Sequence, residues 1–230
     1  ADRETRIGRR YREAAGKLER AVADFNGREL AFVLDLGDII DTSRPEDLAP
    51  VLAAYSRLRH KLHPVAGNHG YALSRAMITR LLESPEAYYS FAPAPGWEFV
   101  VLDGQDAGYG VLGGRQLEWL SAELAEAREA GNRVVVASHF AVTRKAASHH
   151  LMKTPEPVLN AEERAGCVVA HLAGHDHRGG YALVNGIHHL TLQGLVEAPR
   201  AANGYGRIEV YENFLLLCGT GTVPARLMRF

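Results

Sequence analysis

The sequence predicts an α/β fold, and three observations carry that reading. Short apolar runs end abruptly at glycine or at polar residues, amphipathic stretches separate them, and hairpin patterns fill the C-terminal third. The segment from Gly8 to Asn26 reads as a helix, because Tyr11, Ala15, Leu18, Val22 and Phe25 recur at spacings of four and three. ELAFVLDLGD is a buried-strand pattern that stops at Gly37. DLAPVLAAYSRLRHKL reads as a second helix, and HPVAG as a short strand. A helix near Ser74–Leu82 precedes two strand-like segments, AYYSFAP and WEFVVLDG. Gln116 to Ala130 is helical with Leu117, Leu120 and Leu124 on one face. NRVVVASHF is a strand, and helical sequence around Glu162 leads into the strand CVVAHLAG. YALVNGIHHLTLQG then turns at Asn185-Gly186, and GRIEVYENFLLLCG reads as a second hairpin. Strands alternating with helices and closed by hairpins give α/β layers finished with antiparallel strands.

The 230 residues suit a single domain over 1–230, and 47% hydrophobic residues is ordinary for a globular enzyme. A formal net charge of -1 argues against a nucleic-acid binder, although bound metals can still attract a small anion. No apolar run reaches membrane-spanning length, and the N-terminus lacks the apolar core of a signal peptide. Cys167 and Cys218 lie in apolar runs and read as buried small hydrophobes, so a cytoplasmic setting is expected. Histidine is over-represented, with 11 in the chain, several beside Gly, Asp or Asn.

Four motifs share one design, an apolar strand that runs out into ligand-type residues. FVLDL leads to Gly37-Asp38-Ile39-Ile40-Asp41, HPVA to Gly67-Asn68-His69, VVVA to Ser138-His139, and VVAHLA to Gly174-His175-Asp176-His177. In an open α/β sheet the carboxyl ends of parallel strands meet along one edge, so residues distant in sequence converge there. Oxygen and imidazole donors without thiolate suit manganese, iron or zinc. His175 and His177 lie two apart, so an extended segment points both to one side, and Asp38 has two oxygens with which to bridge a metal pair. Two metals can hold a bridging hydroxide and clamp phosphoryl oxygens during in-line displacement. His69 is then the candidate proton donor to the leaving oxygen, with Asp41 stabilising its charged form.

Other candidates carry bland readings. His60 and His63 read as surface residues at a helix–strand junction, and His149 and His150 as loop residues that can line a pocket. His171 reads as a core histidine with a satisfied hydrogen bond, and at most one of His188 and His189 faces the site. Gly179-Gly180 admits either a phosphate contact or a simple turn. Tyr71 and Phe140 follow ligand residues and can stack on a base or pack into the core.

The ordered set GDIID, GNHG, SHF and GHDH resembles the calcineurin-like metallophosphoesterase superfamily. RRYREAAGKLERAV, YYSFAPAPGWEFVVLDG, LGGRQLEWLSAEL, AGHDHRGGY and GIHHLTLQGLVEAP are similar to its branch of manganese-dependent ADP-ribose/CDP-alcohol diphosphatases. The resemblance implies a two-sheet β-sandwich flanked by helices. It implies that Asp38 bridges two divalent ions, Mn2+ with Fe or Zn as alternatives, that Asn68, His139 and His175 bind one ion and His177 the other, and that His69 and Asp41 are the catalytic pair. It further implies hydrolysis of the diphosphate of nucleotide conjugates such as ADP-ribose and CDP-alcohols by a monomeric enzyme with a small-molecule nucleotide substrate. The family's Asp-x-Gln motif, at the end of a first strand, is absent. That strand is missing from the chain, Asp2 does not replace it, and an upstream strand carrying the motif is expected. Gly70 stands where an acidic residue is common, and Ser-His-Phe-Ala replaces Ser-His-x-Pro. The alternatives are a cyclic-nucleotide or general phosphodiesterase of the same superfamily and a non-catalytic scaffold with this fold.

Overall fold

A computed structural model describes residues 8–197, 199 and 202–230; Asp2 lies outside the described residues. Two layers of strands face each other. The larger is a six-stranded mixed sheet made of β3 (Tyr89–Ala94), β4 (Trp97–Val101), β5 (Arg133–Ser138), β6 (Val168–Ala173), β7 (Gly180–Val184) and β8 (Ile187–Thr191), in the order β3-β4-β5-β6-β8-β7. Its four central strands β4, β5, β6 and β8 run parallel, so their carboxyl ends share one edge. The opposing layer is in two pieces. In one, β1 (Val33–Asp35) pairs in parallel with β2 (Leu62–Pro64); in the other, β9 (Gly204–Val210), β10 (Phe214–Gly221) and β11 (Arg226–Arg229) form an antiparallel meander.

Packing follows the alternation of each strand. Phe99, Val135, Leu172 and Leu190 of the large sheet meet Leu34, Leu36, Leu215, Leu217 and Met228 of the second layer. On its outer face, Val100, Val134, Val136 and Ile187 pack against helices α4 (Gly114–Glu129) and α5 (Glu156–Ala165) through Leu120, Leu124 and Val158. Helix α1 (Tyr11–Asn26) lies against α2 (Pro45–Tyr55), while α3 (Tyr71–Leu82) starts directly after the Gly-Asn-His segment. The expected α/β layering with a sandwich of two strand layers is therefore borne out.

Between β1 and β9 runs a cavity of about 1650 Å3, lined by Val22 and Phe25 of α1, Phe32 and Leu34, and Gly206 and Ile208 of β9. Among the described residues, β1 pairs only with β2 and β9 only with β10, so each leaves one edge without a strand partner. Asp38, His139, His175 and His177 line the same cavity.

Several local expectations shift. The second helix stops at Tyr55 rather than running on to Leu62, because Asn26 captures the chain. Its side chain donates to the Arg57 carbonyl at 2.7 Å and accepts from the Arg59 amide at 2.8 Å, which turns the backbone into β2. The C-terminal strand β11 has no counterpart in the hydropathy pattern, since only Met228 of RLMR is buried. His63 is not a surface residue. It is 4% exposed and stacks on Phe91 with ring centroids 3.5 Å apart. Both cysteines are free and half-buried rather than fully buried.

Burial pushes the His63 imidazole down to about 4. Above pH ~6.5 it is neutral whether the chain is folded or not. As the pH falls below that value, the unfolded chain takes up a proton that the folded chain refuses. Stability is therefore lost down to about pH 4, by on the order of 2–3 kcal/mol for this group. His63→Leu is expected to flatten that limb when urea midpoints are measured between pH 7 and pH 4.

Candidate metal centre

The site assembles where the parallel strands end. At the end of β1, the carboxylate of half-buried Asp35 accepts the Gly37 amide at 2.8 Å and the Tyr55 hydroxyl, which ties the turn to α2. The chain then enters a left-handed conformation at Asp38 (φ 55), an uncommon geometry for a residue with a side chain and a form of strain that gathers at functional sites. Gly67 makes this possible, because a Cβ there would stand 2.1 Å from the Asp38 amide nitrogen. Gly70 is likewise required. It opens α3 at φ 58, and a Cβ would meet Ile40 and the Thr42 carbonyl at 2.6 Å, so packing closes this loop without an acidic residue.

Four donor atoms converge on one point. His139 Nε2 lies 3.0 Å from Asn68 Oδ1, 3.1 Å from His175 Nδ1 and 3.2 Å from Asp38 Oδ2. His139 Nδ1 is 2.7 Å from the Leu36 carbonyl, which can only accept, so the ring proton sits on Nδ1 and Nε2 presents its lone pair. That lone pair faces an amide oxygen, a carboxylate oxygen and a second imidazole. One proton cannot satisfy all of these contacts, whereas a single divalent cation can. The residues present therefore fit a metal. Burial pushes His175 down to about 3, so its ring is neutral and able to ligate. Burial acts to raise Asp38, but its contact with the His139 ring and the hydrogen bond from the His69 amide outweigh it and bring the carboxyl to about 2.

Outer contacts orient these ligands. Tyr109 Oη lies 3.0 Å from His175 Nε2, a contact that fixes the ring with Nδ1 turned inward. Glu197 accepts from His177 Nδ1 at 2.9 Å, leaving Nε2 for the cavity. His177 does not join the four-atom cluster, although it lines the same cavity as Asp38. His69 stands beside the cavity with Nδ1 3.0 Å from the Asp41 backbone carbonyl and 3.5 Å from the Asp41 carboxylate. The pairing expected between these residues thus runs first through the backbone.

The remaining histidines separate clearly. His171 and Glu162 form a buried pair at 2.6 Å, His171 Nε2 meets Ser138 Oγ at 2.8 Å, and His189 lies alongside. The donor atoms of Glu162, His171 and His189 come within 4.8 Å of one another, a second group with metal-like spacing, but it lies under α5 and does not include His177. His188 bonds Tyr181 and the Arg229 carbonyl, so neither His188 nor His189 faces the site. Phe140 is fully buried, and Tyr71 turns its hydroxyl to Asp103 at 2.8 Å, so both serve packing rather than base stacking. Gly180 faces the Ala146 carbonyl, where a Cβ would stand at 2.2 Å, so close packing accounts for it. Sequence reasoning missed Glu197 and Tyr109. Glu197 lies in the quoted stretch GLVEAP, while a tyrosine in a GYG turn gives no signal of its own.

A model of the calcineurin-like phosphoesterase family matches residues 12–179. A protein of Arabidopsis thaliana named manganese-dependent ADP-ribose/CDP-alcohol diphosphatase is 32% identical, the match covering 93% of this chain and 87% of that protein. One of the same name from Oryza sativa subsp. japonica is 30% identical, over 97% of this chain and 87% of its own length. Among solved structures, a dimetal phosphatase from Danio rerio superposes with a TM-score of 0.85 at 27% identity, covering 96% of this chain and 90% of that one.

If Glu197 orients His177 toward a metal, Glu197→Gln is expected to weaken manganese binding at that position about 10–100-fold. Calorimetric titration measures this, and an unchanged affinity would exclude that orienting role for Glu197.

Proposed function

Because the chain belongs to the calcineurin-like phosphoesterase family, we propose that it hydrolyses the diphosphate of nucleotide conjugates such as ADP-ribose and CDP-alcohols. It is a metal-dependent hydrolase of the dinuclear kind. The observation that carries the reading is the convergence of Asp38, Asn68 and His175 donors within 3.0–3.2 Å of His139 Nε2, with His69 at the edge of the same cavity. The printed names of the relatives support the substrate class and manganese. Two free thiols and the absence, among the described residues, of a helix long and apolar enough to cross a membrane support a cytoplasmic setting.

Divalent ions held there would neutralise the phosphoryl oxygens and make water a competent nucleophile at neutral pH. The chain's own residues do the rest. Asp38, Asn68, His139 and His175 hold one ion, and His177 with Asp38 holds the other. His69 delivers a proton from Nε2 to the oxygen of the departing nucleotide or phosphate. For this its Nε2 must carry the proton, and the ring is oriented through Nδ1, whose hydrogen goes to the Asp41 carbonyl at 3.0 Å with the Asp41 carboxylate 3.5 Å away.

Manganese titration with ADP-ribose should release AMP, and His69→Ala should lower kcat about 10²–10⁴-fold with metal content unchanged. A substrate panel with CDP-choline and a cyclic nucleotide separates this activity from a general phosphodiesterase. Absence of manganese-dependent hydrolysis of every diphosphate tested would overturn the proposal.

A further inference from the structure

The Gly-His-Asp-His motif contains one residue that the metal centre leaves unused. Asp176 lies between His175 and His177, yet its side chain is turned away and buried, at 2% exposure. Its Oδ2 accepts the Ser148 amide at 2.9 Å, the Ser148 hydroxyl at 3.1 Å and the His149 amide at 2.9 Å. A carboxylate taking three hydrogen bonds on one oxygen is a clamp, and what it clamps is the segment after β5. Four residues on, the Met152 and Lys153 amides bond the Ala141 and Gly110 carbonyls at 2.9 and 2.8 Å, so the segment is pinned at both ends. His150 projects between the two anchors.

His150 is held in the left-handed region at φ 58, a strained conformation for a residue with a Cβ. Its ring is exposed and meets the ring of the ligand-type residue His175 edge-on, with centroids 5.0 Å apart. On another side of His175 stands Tyr109, and Lys153 Nζ lies 5.3 Å from the Tyr109 ring centroid. His175 is therefore flanked by an imidazole and a phenol, with an ammonium over the face of the phenol ring. None of the three is a ligand of the four-donor cluster.

The geometry points to His150 and Lys153 as the subsite for the second phosphoryl group of a diphosphate, with Asp176 as the residue that positions it. The inference rests on the diphosphatase reading above. A diphosphate presents two adjacent anionic groups. When one is engaged at the Asp38–Asn68–His139–His175 cluster, the other must lie beside it, where an imidazole N–H and an ammonium can both donate. A monophosphate leaves these donors without a partner. The pair thus distinguishes diphosphate conjugates from simple phosphoesters.

Binding, rather than turnover, tests this independently of the hydrolysis assay. Manganese-loaded protein is titrated with methylenediphosphonate, which carries carbon in place of the bridging oxygen and resists hydrolysis, and with orthophosphate. His150→Ala and Lys153→Ala are each expected to weaken the diphosphonate roughly ten- to hundredfold, with orthophosphate changed less than about twofold. Asp176→Ala should reproduce the His150→Ala effect with manganese content intact, and Asp176→Asn, which keeps an acceptor oxygen, should restore much of it. Equal losses for both anions, or an unchanged diphosphonate affinity, would overturn the subsite. A normal diphosphonate preference in Asp176→Ala would remove Asp176 from it. If the wild-type chain shows this preference but hydrolyses no diphosphate, the subsite stands and the proposed reaction falls.

Discussion

The His139 ring settles which way every other part of the site must face. With its Nδ1 proton committed to the Leu36 carbonyl, its Nε2 lone pair has one direction, and Asp38, Asn68 and His175 are gathered in that direction by three different strand ends. Leu36 lies at the end of the second layer, whereas His139 follows β5 of the large sheet. The contact is therefore also a tie between layers. Displacing β1 by an ångström would break the hydrogen bond, free the ring to choose the other tautomer and scatter the donors. The tight approach of Gly67 to Asp38 and the left-handed backbone at Asp38 and His175 serve the same convergence. Local strain is tolerated because packing on both sides over-determines it.

The parts of this design that could be read from sequence are those in which periodicity and chemistry coincide. Each of the four motifs follows an apolar run, and parallel strands carry their ends to one edge, so the convergence of the motifs was legible from pattern, while the grouping of Asp38, Asn68, His139 and His175 came from the family resemblance. What could not be read is chosen by contacts with no fixed sequence spacing. Glu197 reaches His177 from beyond a hairpin, Tyr109 reaches His175 from a glycine turn, and Leu36 contributes only its carbonyl. A backbone oxygen leaves no trace in a sequence. His63 was misplaced for a related reason: polarity suggested surface, but an aromatic cluster of Phe32, Phe91 and Phe99 accepts a neutral imidazole as a flat apolar ring.

The same logic separates the two histidine-rich groups. Successive residues of a strand point to opposite faces, so His171 of β6 falls under α5 beside Glu162, while Leu172 enters the space between the layers. Only beyond the last strand residue, where Gly174 releases the alternation, do His175 and His177 turn into the cavity. The buried Glu162–His171–Ser138 chain still bears on the site indirectly. Ser138 Oγ donates to the Phe140 carbonyl at 2.6 Å, and these two residues bracket His139. The backbone that carries the central ligand is thereby held from the side opposite the metal cluster.

The four-donor cluster and His177 are held by different parts of the fold. The cluster around His139 is built by residues from β1, β2, β5 and β6 ends, all of which are paired in parallel with a neighbour. His177 instead faces the cavity that parts β1 from β9. On this side β1 has no strand partner among the described residues, and its register rests on three pairings with β2 and on the Tyr55–Asp35 contact. An ion held by Asp38 from one layer and by His139 and His175 from the other would cross-link the two. Its binding free energy then adds to the docking of β1 rather than merely filling a preformed cage, because whatever binds only the assembled state stabilises that state. Metal affinity and the order of the β1 edge are in this sense one quantity, set by how firmly Asp38 is presented.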